Sequence, residues 1–91
     1  MNTPESVRQH IDALWQQLQI QLPQCDLRQK CALAMDTFEK LTAIAQQAQY
    51  VNFGEAAHHL AETLEKTQRL CEAYHQELQY TLEWASHSYD E

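Results

Sequence analysis

The chain has 91 residues, enough for one domain with a modest core, and its formal net charge is −7. Nucleic acids and anionic membranes select basic surfaces, so this charge balance argues against both as partners. One glycine, two prolines and abundant Gln, Ala, Leu and Glu predict an all-α domain. No apolar run reaches the roughly 20 residues that cross a bilayer, so no membrane-spanning helix is expected.

The first predicted helix covers residues 4–21. Thr3 is a favourable N-cap, and Pro4 suits the first helical turn. Pro23 ends the helix because proline cannot continue the hydrogen-bond ladder. One face carries an apolar row made of Val7, Ile11, Leu14, Leu18 and Leu22. This row is expected to face the core, with Trp15 at its edge.

The second predicted helix covers residues 25–50, with Asp26 near its positive N-terminus. Its apolar positions alternate steps of four and three, and a second row lies beside the first. The first row is Leu27, Cys31, Ala34, Phe38, Leu41, Ala45 and Ala48. Two adjacent apolar rows allow this helix to pack against two neighbouring helices, as expected of the middle helix of a bundle.

The third predicted helix covers residues 53–87 and is the longest. Asn52 and Glu55 have the spacing of a capping box, which predicts a tight, antiparallel connection from the second helix. The predicted seam comprises Phe53, Ala57, Leu60, Leu64, Thr67, Cys71, Tyr74, Leu78, Thr81 and Ala85. The chain is therefore predicted to be a single domain, residues 1–91. Its expected fold is an all-α, three-helix antiparallel up-down-up bundle with a long C-terminal helix.

The end of the third helix is predicted to be a partner-binding surface. The two shorter helices cannot cover it beyond about Leu78, and aromatic and acidic residues share one side of the helix there. The predicted partner-binding residues are Tyr80, Trp84, His87, Glu72 and Glu83. Exposed aromatic groups with a charged rim are typical of interaction patches. The alternative is that the helix bends and packs Trp84 onto the first helix.

Two Glu-x-x-His pairs, at Glu55–His58 and Glu72–His75, have the spacing found in helical di-iron bundles. Those sites need one such pair on each of two helices, whereas both pairs lie on one helix here. Cys71 and His75, one turn apart, supply two ligands where a structural zinc site needs four. We therefore predict no metal site and no cofactor.

The segment Ala57-His58-His59-Leu60 resembles the A-H-x-L start of the phosphorelay motif in histidine-phosphotransfer domains, which are also small acidic helical bundles. The resemblance covers these few residues and implies that His58 is the phosphoacceptor. That family continues with Lys-Gly, whereas this chain has Ala61-Glu62, and a glutamate there would repel a phosphoryl group.

The three cysteines form no C-x-x-C pair, which favours free thiols in a reducing cytoplasm. Cys31 and Cys71 are expected to be small core residues, and Cys25 an exposed loop thiol. No Ser/His/Asp arrangement or glycine-rich phosphate loop is present, so we expect no enzymatic activity.

Together these features favour a small acidic protein–protein interaction module that binds through a helix face. The expected classes are a chaperone, an adaptor or an inhibitor of a protein partner. Two alternatives remain at this point: a histidine-phosphotransfer domain that uses His58, and a structural homodimer in which two long helices pair.

Overall fold

The computed structural model describes residues 3–47 and 53–89, with side chains described as far as residue 86. Three α-helices follow one another: α1 (Pro4–Gln21), α2 (Leu27–Gln46) and α3 (Ala56–Tyr89). One 3-10 turn, Leu22–Gln24, connects α1 to the loop before α2. The described residues contain no strand, and the helices pack on one another. This confirms the predicted all-α bundle with a long C-terminal helix.

Side-chain caps fix the starts of the first two helices. Thr3 accepts a hydrogen bond from the Ser6 amide, and Ser6 Oγ accepts one from the Thr3 amide. Asp26 and Gln29 form the same reciprocal box at α2. Because Asp26 is the cap, α2 begins at residue 27 and not at 25. The predicted bounds of α1 match the structure.

The third helix begins at Ala56, so the predicted start at Phe53 is wrong. Gly54 has a φ of +53°, a left-handed conformation that an α-helix excludes. The amides of Ala56 and Ala57 donate to the Phe53 and Gly54 carbonyls and close the turn. The predicted cap Asn52 and the predicted last turn of α2, residues 48–50, lie outside the described residues.

The core fills the end of the bundle where α1 and α3 begin. Its main cluster is Val7, Ile11, Leu41, Ile44, Phe53, Ala56 and Leu60. Further along α3, the buried side chains of Thr63 and Thr67 donate to the carbonyls of His59 and Thr63. The seam is rotated slightly from the prediction, since Ala56 is buried and Ala57 is exposed. No described α3 side chain after Thr67 is fully buried.

The C-terminal part of α3 projects beyond the other helices. At 1.5 Å per residue, α2 is about 30 Å long and α3 about 51 Å. The bundle extends over 60 × 24 × 15 Å. Residues 79–86 are all exposed, and we call this segment the overhang. The helix continues through it, so α3 does not fold Trp84 back onto α1.

Candidate partner-binding surface

The overhang presents two of the predicted aromatic residues to solvent. The Tyr80 side chain is 70% exposed and that of Trp84 is 64% exposed. They lie four residues apart on a regular helix, so they share one face. His87 is within α3, but its side chain lies outside the described part of the chain. We call Tyr80 and Trp84 the aromatic face.

The two predicted acidic residues lie on the same side of α3, about 20° apart around the helix and about 16 Å apart along it. Glu83 is exposed next to Trp84, about 60° from Tyr80 by the 100° rotation per residue. Glu72 accepts a hydrogen bond from Gln68 Nε2, one turn earlier in α3, at 3.3 Å. Glu83 therefore borders the aromatic face directly, and Glu72 lies on the same side about 12 Å nearer the start of the helix.

A groove between α2 and α3 contains Glu72. Its volume is about 550 Å³, and it is lined by Met35, Phe38, Glu39, Gln68, Cys71, Glu72 and His75. Sequence reasoning missed this groove. The available signal was a row of residues on α3 spaced by four and three, namely Cys71, His75, Leu78 and Leu82. Leu82, within the overhang, is 51% exposed and lies on the same side of α3 as Cys71.

The basic residues of α3 are held on the bundle and not on the overhang. Lys66 Nζ lies 5.9 Å from the ring centroid of Trp15, and Arg69 Nη2 lies 2.6 Å from Glu65 Oε1. From residue 70 to the end, the sequence has five acidic residues and no Lys or Arg. Among the described residues after Arg69, Glu72, Glu77 and Glu83 make the exposed surface of α3 acidic.

The two neighbouring histidines have different surroundings. His58 is on the outer face, with Nε2 2.9 Å from Glu62 Oε1. His59 Nε2 is 2.6 Å from Asp12 Oδ1 and joins α3 to α1. The glutamate therefore lies where an incoming phosphoryl group would approach His58.

Each of the three cysteines is a free thiol. Cys25 Sγ donates to the Gln21 carbonyl, so its thiol is held at the end of α1. Cys31 and Cys71 are only partly buried, so they are not the full core residues expected from sequence. Burial raises the pKa of Cys71, and the neighbouring Cys31 raises it further.

Among the described residues, no three His, Cys, Asp or Glu side chains are grouped closely enough to hold a metal ion. Every buried side-chain nitrogen or oxygen in the same residues has a hydrogen-bond partner. The core therefore offers no unsatisfied polar atom that a ligand would complete.

Comparison with protein-family models, with curated proteins and with solved structures finds no match to this chain. In the described helices, no segment is long and apolar enough to cross a membrane.

Proposed function

We propose that this protein is a protein–protein interaction module that binds a basic partner through the aromatic face of the overhang. The observation that carries the proposal is the exposure of Tyr80 and Trp84 on a helix segment that adds nothing to the core. Natural chains do not need large aromatic groups to keep a solvated helix end folded. Such groups do serve as anchors in protein interfaces.

The charge distribution supports a basic partner. Residues 51–91 contain two basic and eight acidic residues, a balance of −6. Complementary charge raises the association rate and selects partners, while buried aromatic anchors supply most of the affinity. Tyr80 and Trp84 would therefore be the anchors, and Glu83 and Glu72 would steer the approach. A chaperone, an adaptor and an inhibitor would all use such a surface.

Photo-crosslinking tests the proposal in the source cells. A benzophenone amino acid replaces Tyr80 in one variant and the exposed Ile20 of α1 in a matched variant. We expect a covalent adduct to a second protein from position 80 and none from position 20. The adduct yield should fall at about 0.5 M salt, because salt screens steering by exposed charge.

An adduct of twice the chain mass would instead show that the overhang pairs with a second copy. The sequence after Arg69 makes this alternative less favourable, because two acidic overhangs would repel each other. Adducts of equal yield from both positions would contradict a specific surface.

Histidine phosphotransfer has less support from the geometry. Glu62 Oε1 lies 2.9 Å from His58 Nε2, where it would disfavour a phosphoryl group. The test is incubation with a phosphodonor, with His58→Gln as the control. An acid-labile phosphate on wild type that is absent from the variant would favour a relay over the interaction module.

A further inference from the structure

The groove between α2 and α3 lies on the side of the bundle that α1 leaves open. α1 reaches α3 through the contacts of Asp12 with His59 and of Trp15 with Lys66. Cys71 follows Lys66 by five residues, which places it about 140° further around the helix. The groove is thus bordered by α2 and α3 alone, like the open side of a bundle that one more helix would complete.

The groove floor continues as an apolar track along α3. Leu78 and Leu82 lie within about 20° of Cys71 around that helix and so extend its apolar side beyond the groove. Met35, which is 56% exposed, lines the groove from α2. From Gln68 to Leu82 the track is about 21 Å long at 1.5 Å per residue. A helix of about four turns matches this length. Its apolar side chains, spaced three and four residues apart, would lie on one face and contact the floor.

Both rims of the groove are acidic. Glu39 lies on the α2 rim and Glu72 on the α3 rim, and both are exposed. The nearby Lys40 contacts Asp36 at 3.0 Å, so its charge is already matched. Two positive charges, Arg28 and Lys30, lie at the start of α2, the end nearest the overhang, and Lys30 Nζ lies 5.9 Å from the Tyr74 ring centroid. An apolar floor between two carboxylates complements an amphipathic helix with Lys or Arg on its flanks.

We propose that this groove binds one amphipathic, basic helix of a partner protein, with its apolar side on Met35, Phe38 and Leu82. This inference rests on the proposed function and adds a second surface to it, since Leu82 is about 160° from Tyr80 around α3. A second copy of the chain is a poorer occupant, because the exposed part of its longest helix is acidic.

Fluorescence anisotropy with a defined probe tests the groove directly. The probe is a labelled peptide of about 14 residues with a leucine row flanked by lysines, and the control peptide has glutamate at every lysine position. Both are titrated with the full chain at about 0.1 M salt. We expect the lysine peptide to bind at least about tenfold more tightly than the glutamate peptide.

Two matched variants separate the groove from overall charge. Met35→Lys and Ile20→Lys each replace an exposed apolar residue by the same cation, but only Met35 lines the groove. We expect Met35→Lys to weaken peptide binding about tenfold or more and Ile20→Lys to weaken it less than about threefold. Circular dichroism of both variants confirms that the helices remain.

Three results would overturn the inference: no binding of the lysine peptide, equal weakening by both variants, or a dimer that Met35→Lys dissociates. The first two would show that the groove has no specific affinity for a basic helix, and the third would make a second copy its occupant. Tyr80 and Trp84 are intact throughout, so a failure here leaves crosslinking through the aromatic face unaffected. A failure of that crosslinking, in turn, does not alter the peptide result.

Discussion

At the residue scale, the contact between His59 and Asp12 is the clearest polar link between two helices. The atoms Nε2 and Oδ1 are 2.6 Å apart, and the imidazole is only 25% exposed. His59 is one of two adjacent histidines, and the sequence alone does not show which one faces α1. The choice depends on how α3 is rotated in the bundle, and tertiary packing sets that rotation.

We predict that Asp12→Asn lowers the free energy of unfolding by about 0.5–1 kcal/mol, since a partly exposed hydrogen bond to a carboxylate is lost. Urea unfolding measures the change. The matched control is Glu62→Gln, which removes the carboxylate next to the more exposed His58 and should cost less. An equal loss in both variants would contradict a structural role for the His59 contact.

The raised pKa of Cys71 gives a second residue-scale prediction. The thiolate is the reactive form, and burial together with Cys31 disfavours it. In a Cys25→Ser background, Cys71 should therefore be alkylated by iodoacetamide at a higher pH than a cysteine in a short peptide. Cys31→Ser should move the midpoint of the rate profile down only partly, because burial, the larger cause, remains. Mass spectrometry after tryptic digestion reports the rate at each cysteine.

The folded-state pKa of Cys71 lies above its unfolded value, so its contribution to stability is full below the unfolded pKa. That contribution is lost as the pH rises through the folded pKa. Wild type should lose stability in this alkaline window faster than Cys71→Ser does. If the free energy of unfolding fell equally with rising pH in the two proteins, that result would contradict the raised pKa of Cys71.

At the element scale, the start of α3 depends on Gly54. Its φ of +53° costs a residue with a side chain about 1 kcal/mol, although an added Cβ would meet Pro4 at an ordinary 3.5 Å. Gly54→Ala should therefore destabilise the bundle by about 1 kcal/mol through strain and not through a clash. Gly54→Asn should cost less, because asparagine adopts this conformation more readily. Thermal unfolding of both variants provides the comparison, and a larger cost for Asn would contradict this reason.

The overhang is the element whose side chains should matter least to folding. Tyr80→Ala and Trp84→Ala remove mostly exposed groups, so each should change the free energy of unfolding by less than about 1 kcal/mol. Leu41→Ala, at a position with no exposure, should cost about 2–5 kcal/mol. Urea unfolding measures the free energy of unfolding of each variant. A loss of several kcal/mol in Trp84→Ala would mean that the indole belongs to the core.

The sequence predicted the elements well where a local signal fixes them. Thr3, Pro4 and Pro23 gave the correct bounds of α1. Asp26 was expected near the start of α2, but its capping partner Gln29 was not predicted, and the predicted start at 25 was two residues early. The predicted start of α3 was wrong because Gly54 takes a left-handed turn conformation, which the Asn52–Glu55 spacing does not indicate. The exposure of Tyr80 and Trp84 was predictable because helix length alone shows that α3 outruns α2.

At the scale of the whole molecule, the arrangement of three helices leaves two surfaces open. The aromatic face lies on the overhang, and the α2–α3 groove lies on the side away from α1. The sequence contains the row of α3 residues along the groove, but whether that row is exposed depends on the position of α1. Met35 and Phe38 would have been buried had α1 packed on the other side of the same pair of helices.

Affinity capture from a lysate of the source organism tests the central claim most directly. Wild type is immobilised beside Trp84→Ala, Tyr80→Ala and the matched exposed control Ile20→Ala, after each has been shown to keep its helical signal. The account predicts a protein retained by wild type and by Ile20→Ala, and reduced about tenfold or more on both aromatic variants. Equal retention by all four immobilised proteins, or no specific retention by wild type, would contradict the proposal that the overhang binds a partner.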